Sequence, residues 1–254
     1  MDVFYLILLY IAVILTSYCI GSLNWGYIIS KYIYHIDIFK VGSGNAGGTN
    51  VGRACGKKAA YAVILLDVLK TVAAVWGWFF IVQATQIKDF IFIDINPDYP
   101  ISTLYYLAGL GVALGHTYPF LTHFRGGKCV ACYGGFCLCT NWMLAVIGVI
   151  AFLGIYFWKK RVSLSSVLAV ILVLLISLTF GILNIYFDTS WAFYFNSSFK
   201  MDPSLIHTAF IFVFTAAVIY LHKANIKRLK RHEEPETHFV HKGEKPVADY
   251  EEKK

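Results

Sequence analysis

The sequence predicts an all-α polytopic membrane protein, a seven-helix transmembrane bundle with its N-terminus out and its C-terminus in. Three observations predict it. Hydrophobic residues make up 58% of the 254 residues and the mean hydropathy is +0.62, more apolar surface than a soluble domain can bury. The apolar residues fall in runs long enough to cross a bilayer. The cations fall in the short loops between those runs, as they do on the inner side of membranes. The net charge of +7 therefore reads as contact with anionic membrane lipid, and no nucleic-acid motif accompanies it.

The first span is residues 3–23. Asp2 precedes it and no Lys or Arg does, so it reads as an uncleaved helix rather than a signal peptide. The second is 59–82. Residues 83–100 carry Lys88 against Asp89, Asp94 and Asp98 and belong outside. The third span, 101–115, is short. The apolar stretch 129–158 lies between two basic groups, Arg125 with Lys128 and then Lys159, Lys160 and Arg161, which should share the inner side. As one helix it would be about 45 Å long, too long for an upright crossing. Two shorter helices turning near Thr140 and Asn141 solve both difficulties. Residues 164–187 and 204–221 complete the bundle, with an aromatic loop between them carrying Trp191, Tyr194 and Phe195. Residues 1–232 thus form the membrane domain. Residues 233–254, charged and with little apolar content, read as a disordered inner tail.

The loops carry the chemistry. Residues 42–58 read G-S-G-N-A-G-G-T-N-V-G-R-A-C-G-K-K, with six glycines, Ser43, Asn45, Thr49, Asn50, Arg53, Lys57, Lys58 and no acid. Glycine brings backbone close to a ligand, successive N–H groups make an anion cradle, and Arg and Lys add charge. The stretch reads as a phosphate site, with Gly44 among the cradle residues. A second loop, 116–128, adds His116, Arg125 and Lys128 around Gly126 and Gly127. A third adds Arg161, Ser163, Ser165 and Ser166. A C-terminal stretch adds His222 and Asn225 one helical turn apart, then Arg228. Donors on four separated segments suit a ligand with several phosphate oxygens. Asp67 and Lys70, at i and i+3 inside the second span, read as an intramembrane ion pair.

Two other motifs fail. Residues 42–47 match G-x-G-x-x-G with Asp67 twenty residues on, but the helix that follows is a membrane span and no βαβ unit fits. Lys57 is followed by Lys58 rather than Ser or Thr, so the loop is no Walker motif. Cys129 and Cys132 form a C-x-x-C that runs into an apolar segment. They read as packing residues, and no metal or cofactor is implied.

As a set, these motifs resemble the bacterial acyl-phosphate:glycerol-3-phosphate acyltransferases of the PlsY type. The matching elements are G-S-G-N-A-G-G-T-N with Arg53, L-L-D-V-L-K at 65–70, G-H-T-Y-P-F at 115–120, F-R-G-G-K at 124–128, R-V-S-L-S-S at 161–166 and H-K-A-N-I-K-R-L at 222–229. The resemblance implies acyl transfer from an acyl phosphate to the 1-hydroxyl of glycerol 3-phosphate, giving lysophosphatidic acid and phosphate, at the cytoplasmic face of a bacterial inner membrane. It places Ser43, Arg53, Lys128 and His222 at the reaction centre, with Asn45, Thr49, Asn50, Lys57, Ser163, Ser166 and Asn225 as substrate contacts. The enzyme that makes the acyl phosphate is an implied partner. The proton acceptor is left open between His222 and a substrate phosphate oxygen. The chain departs from the family where Cys129 and Cys132 replace Gly and Thr, where Arg125 replaces Lys and Leu221 replaces Arg, and where a glycine is missing around Lys230, Arg231 and His232. The rival class is an organic-phosphate transporter, but a transporter needs ionisable groups reaching both faces, and these gather on one.

Overall fold

The computed structural model describes residues 2–89, 101–187 and 205–237. Helix α1 spans Asp2–Gly21, and α2, Trp25–Ile28, runs into a π-helical turn, Ile29–Ile33. Then come α3 (Gly48–Cys55), α4 (Lys57–Ala84), the short α5 (Ile87–Asp89), α6 (Ser102–Thr117), α7 (Val130–Thr140), α8 (Trp142–Lys159), α9 (Val162–Tyr186), α10 (Leu205–Leu221) and α11 (Lys223–Lys230). No strand occurs among the described residues. The acidic loop with Asp94 and Asp98, the aromatic loop with Trp191, Tyr194 and Phe195, and the chain after Thr237 lie outside the described residues.

The turn expected near Thr140 and Asn141 is present. Asn141 takes an extended conformation, and its side-chain oxygen accepts from the Leu144 N–H at 3.2 Å, capping α8. The 129–158 stretch is therefore two helices, α7 and α8. Among the described residues, four helices are long and apolar enough to cross a membrane, and a fifth results if α10 and α11, bent by 60°, count as one. Helices α6 and α7, with 16 and 11 residues, are shorter than a straight crossing needs. The expected count of seven includes those two.

Helix α1 packs along α6, α4 on α6 and α7, and α8 and α10 on α9. Small residues permit the closest approach: a Cβ on Gly115 would lie 2.2 Å from the Tyr18 carbonyl oxygen. Phe136 of α7 stacks on Phe214 of α10 at 4.6 Å between centroids. Side chains such as Leu15, Ile150 and Phe212 are exposed, which suits a lipid-facing surface.

The expected ion pair is also present. Lys70 lies 2.8 Å from Asp67 and donates to the Gly21 and Leu23 carbonyls at 2.9 and 3.0 Å. Its charge is thus balanced by one acid and two dipoles at the end of α1, which a membrane interior demands. One boundary needs correction. Residues 233–237 are packed rather than tail-like. The Thr237 N–H donates to the Lys160 carbonyl at 2.8 Å, the Val162 N–H donates to Thr237 Oγ1 at 3.2 Å, and Glu234 is 4% exposed.

Candidate active site

The glycine-rich loop is wound around Asn50. Its amide oxygen accepts from the Ser43 N–H at 2.9 Å, and its NH2 donates to the carbonyls of Ile38, Val41 and Asn45 at 3.2, 2.9 and 2.9 Å. Gly42 and Gly44 hold φ of +60° and +62°, and a Cβ on Gly42 would sit 2.3 Å from the Asn50 oxygen. Asn50 lines the cavity expected to take substrate, and its hydrogen-bonding groups also shape the loop. Helix α3 starts from this loop at Gly47, which offers no side-chain cap, so the positive end of the helix is left for a ligand. Arg53 follows one turn along.

The second loop is set by the ion pair. His116 Nδ1 lies 3.4 Å from Asp67 and 3.1 Å from Lys70. The His116 carbonyl accepts from the Gly127 N–H at 3.0 Å, and a Cβ on Gly127 would lie 2.2 Å from His116 Nε2. Gly126 and Gly127 are therefore close-approach residues, and His116 fixes the path of the chain into Lys128. Arg125 goes elsewhere: it lies 4.5 Å over the Phe39 ring and bonds the Phe39 carbonyl.

These elements close on one cavity of about 320 Å³. Its polar end is lined by Ser43, Asn45, Thr49, Asn50, Arg53, Lys128, Ser163, Ser166, His222 and Asn225, with His116 also on the wall. Its other end runs between α7, α8 and α9 past Gly134, Cys137, Leu144 and Val173. The structure thus brings most of the expected residues together. Lys57 is the exception, being exposed at the start of α4 and outside the lining. Gly44, Gly126 and Gly127 support the wall without forming it.

One residue that sequence reasoning missed organises the polar end. Glu234 Oε1 accepts from Ser163 Oγ at 2.7 Å and from Asn225 Nδ2 at 2.8 Å, and Oε2 accepts from Arg228 Nε at 2.7 Å. Asn225 then accepts from Lys128 Nζ through its side-chain oxygen. Burial works against the Glu234 carboxylate, but these three donors outweigh it and hold the group below the usual carboxylate range. The signal for it was slight: an acid before Pro235, just past α11. His232 turns the chain there at φ +60°, and the Glu233 N–H donates to the Arg228 carbonyl at 2.9 Å.

Burial pushes Lys128 down to about 8, against the raising pull of Glu234 and with Arg228 and Arg53 lowering it further. His222 lies past the end of α10, and its ring Nδ1 is 2.8 Å from the Val218 carbonyl. A carbonyl accepts only, so Nδ1 carries the proton and Nε2 keeps its lone pair. Burial, then Lys128, push His222 down to about 4, so the ring is neutral near pH 7.

Three departures from the resembled family gain a physical meaning. Cys129 holds φ +64° and His232 φ +60°, where a glycine would sit without strain. Cys132 stands in for Thr by reaching the Asp67 carbonyl from Sγ at 3.8 Å. Cys129→Gly is expected to raise stability by about 1 kcal/mol. Thermal unfolding of the purified pair in one detergent would check this, and a lower midpoint for the variant would refute it.

Comparison with known proteins places the chain among acyltransferases. The family model for glycerol-3-phosphate acyltransferase matches residues 11–232. The glycerol-3-phosphate acyltransferase of Ureaplasma parvum is 32% identical over 229 residues, covering 89% of this chain and 88% of that protein. Glycerol-3-phosphate acyltransferase 2 of Bacillus cereus is 32% identical over 228 residues, covering 90% and 95%. The fold is similar to a crystal structure of PlsY (YgiH), an integral membrane glycerol 3-phosphate acyltransferase, in its glycerol 3-phosphate form. The TM-score is 0.68 at 28% identity, covering 91% of this chain and 96% of that one. The lysophosphatidic acid form of PlsY matches with a TM-score of 0.67. With the family model spanning nearly all the described helices and the motif residues gathered in one cavity, the chain belongs to the glycerol-3-phosphate acyltransferase family, the integral membrane acyltransferases of the PlsY type.

Proposed function

We propose that this acyltransferase moves a fatty acyl group from an acyl phosphate to the 1-hydroxyl of glycerol 3-phosphate, releasing lysophosphatidic acid and phosphate. The observation that carries the reading is a single cavity with cations and hydroxyls at one end and an apolar slot at the other. An acyl phosphate is already an activated anhydride, so no enzymic nucleophile is required. The task is to hold two phosphorylated molecules in register and offset their repulsion. Arg53 is suited to bidentate phosphate contact, and Lys128 supplies a point charge. The α3 N-terminus with Ser43 and Thr49 supplies neutral donors.

In the proposed step the hydroxyl oxygen attacks the acyl carbonyl carbon and the bond from that carbon to the phosphate oxygen breaks. The hydroxyl proton passes to a phosphate oxygen. His222, neutral and weakly basic, accepts a hydrogen bond through Nε2 and orients the hydroxyl. Ser163 and Asn225, held by Glu234, border the same end. The proposal includes seven spans, an outside N-terminus, a site facing the cytoplasm of a bacterial inner membrane, and supply of the donor by an enzyme that makes acyl phosphate. It also makes the acyl slot continuous with membrane lipid.

The test is turnover by the purified protein with glycerol 3-phosphate and either acyl phosphate or acyl-CoA, without added metal. Acyl phosphate should give lysophosphatidate and one equivalent of phosphate. Equal rates with acyl-CoA would overturn the donor assignment.

A further inference from the structure

The apolar end of the cavity has a definite length. Helices α7 and α8 are joined by Asn141 alone, so they form a narrow hairpin whose apex is remote from the cations. The apex is fixed twice: Asn141 caps α8 at Leu144, and Thr140 Oγ1 lies 2.9 Å from His207 Nε2 of α10. Below it, Leu144, Cys137 and Val173 are each 1% exposed and close the slot. From Ser163 to Val173 along α9 is about 15 Å, half the thickness of a bilayer's hydrocarbon core. Midway, Gly134 of α7 faces open space, since a Cβ there would meet nothing within 4 Å.

We infer that the α7–α8 hairpin is an acyl-chain ruler, with Gly134 keeping the slot open and Leu144 setting where the terminal methyl stops. The inference rests on the acyl transfer proposed above. Chains enter from lipid, where burial gains little, so length is selected by exclusion at the closed end rather than by added attraction. The chemical class selected is a fatty acyl chain about one leaflet long.

The test uses the full-length protein and two variants, Gly134→Leu, which fills the slot, and Leu144→Ala, which deepens it. Turnover with decanoyl, palmitoyl and stearoyl phosphate is measured alongside binding of the matching lysophosphatidates by thermal shift. Gly134→Leu should lower palmitoyl relative to decanoyl turnover about tenfold, equivalent to an overpacking penalty of about 1.4 kcal/mol. Its KM for glycerol 3-phosphate should stay unchanged. Leu144→Ala should raise stearoyl relative to palmitoyl use. A uniform loss across chain lengths in Gly134→Leu, or no change in preference in either variant, would overturn the ruler. If acyl phosphates support no turnover even in the unaltered protein, the donor assignment fails, and the lysophosphatidate series still decides the ruler by the same shift in length preference.

Discussion

Lys128→Ala is expected to reduce kcat/KM for glycerol 3-phosphate by about two to three orders of magnitude, the loss seen when a preorganised charge-stabilising donor is removed. Arg53→Ala should do the same, and the double variant should lose little more if the two cations act on one pair of phosphates as proposed. The fold should survive. Burial already pushes the Lys128 ammonium down to about 8, so the folded state holds that charge at a cost. Between about 8 and the usual lysine value the unfolded chain binds more protons, so this group makes stability rise with pH. The alanine variant should lose that rise and be no less stable at neutral pH. The same group sets the pH profile: kcat/KM should fall as pH rises through about 8, where the free protein loses the ammonium. Any activity left in Lys128→Arg should lack this fall, since guanidinium stays charged. Full activity in Lys128→Ala and Arg53→Ala, measured as lysophosphatidate formed by folded protein, would remove both from the reaction.

The candidate site was legible in the sequence because its residue types stand out from their surroundings. Glycines, hydroxyls and cations without acids between apolar runs can hardly be core, and Ser43, Arg53, Lys128, His222 and Asn225 do line one cavity. The division of 129–158 was legible from length and charge alone. The difference between touching a ligand and shaping the site was not. Asn50 and His116 are polar residues beside glycines, as a ligand contact would be, yet Asn50 is enclosed by loop carbonyls and His116 by Asp67 and Lys70. Such roles depend on three-dimensional neighbours up to 49 residues away, such as the Lys70 to Gly21 contact, and no local pattern encodes them. Lys57 lies outside the cavity for the converse reason. It closes the motif in sequence, but the turn at Gly56, with φ +93°, starts a new helix and leaves it outside.

Glu234 was illegible because composition spoke against it, and it supports the second large prediction. Glu234→Ala is expected to destabilise the protein by about 1–3 kcal/mol, because it leaves the buried Ser163 and Asn225 without their common acceptor while Arg228 turns to solvent. Glu234→Gln keeps the shape and loses the charge, so it should cost less. With the carboxylate held below its usual range, its contribution is present above that range and lost as pH falls through the folded value. An acid shift of unfolding should therefore be milder in the glutamine variant. Stability alone would not separate a strut from a positioning residue, but Lys128 would. Glu234 raises the Lys128 value, so its removal should move the alkaline fall in kcat/KM to lower pH. Asn225, freed from the carboxylate, should hold Lys128 less well, lowering kcat more than it raises KM. An unmoved alkaline limb in folded Glu234→Gln would reduce Glu234 to a structural tie. A limb shifted downward would mean that an acid outside every motif sets the charge of the cation proposed to bind phosphate.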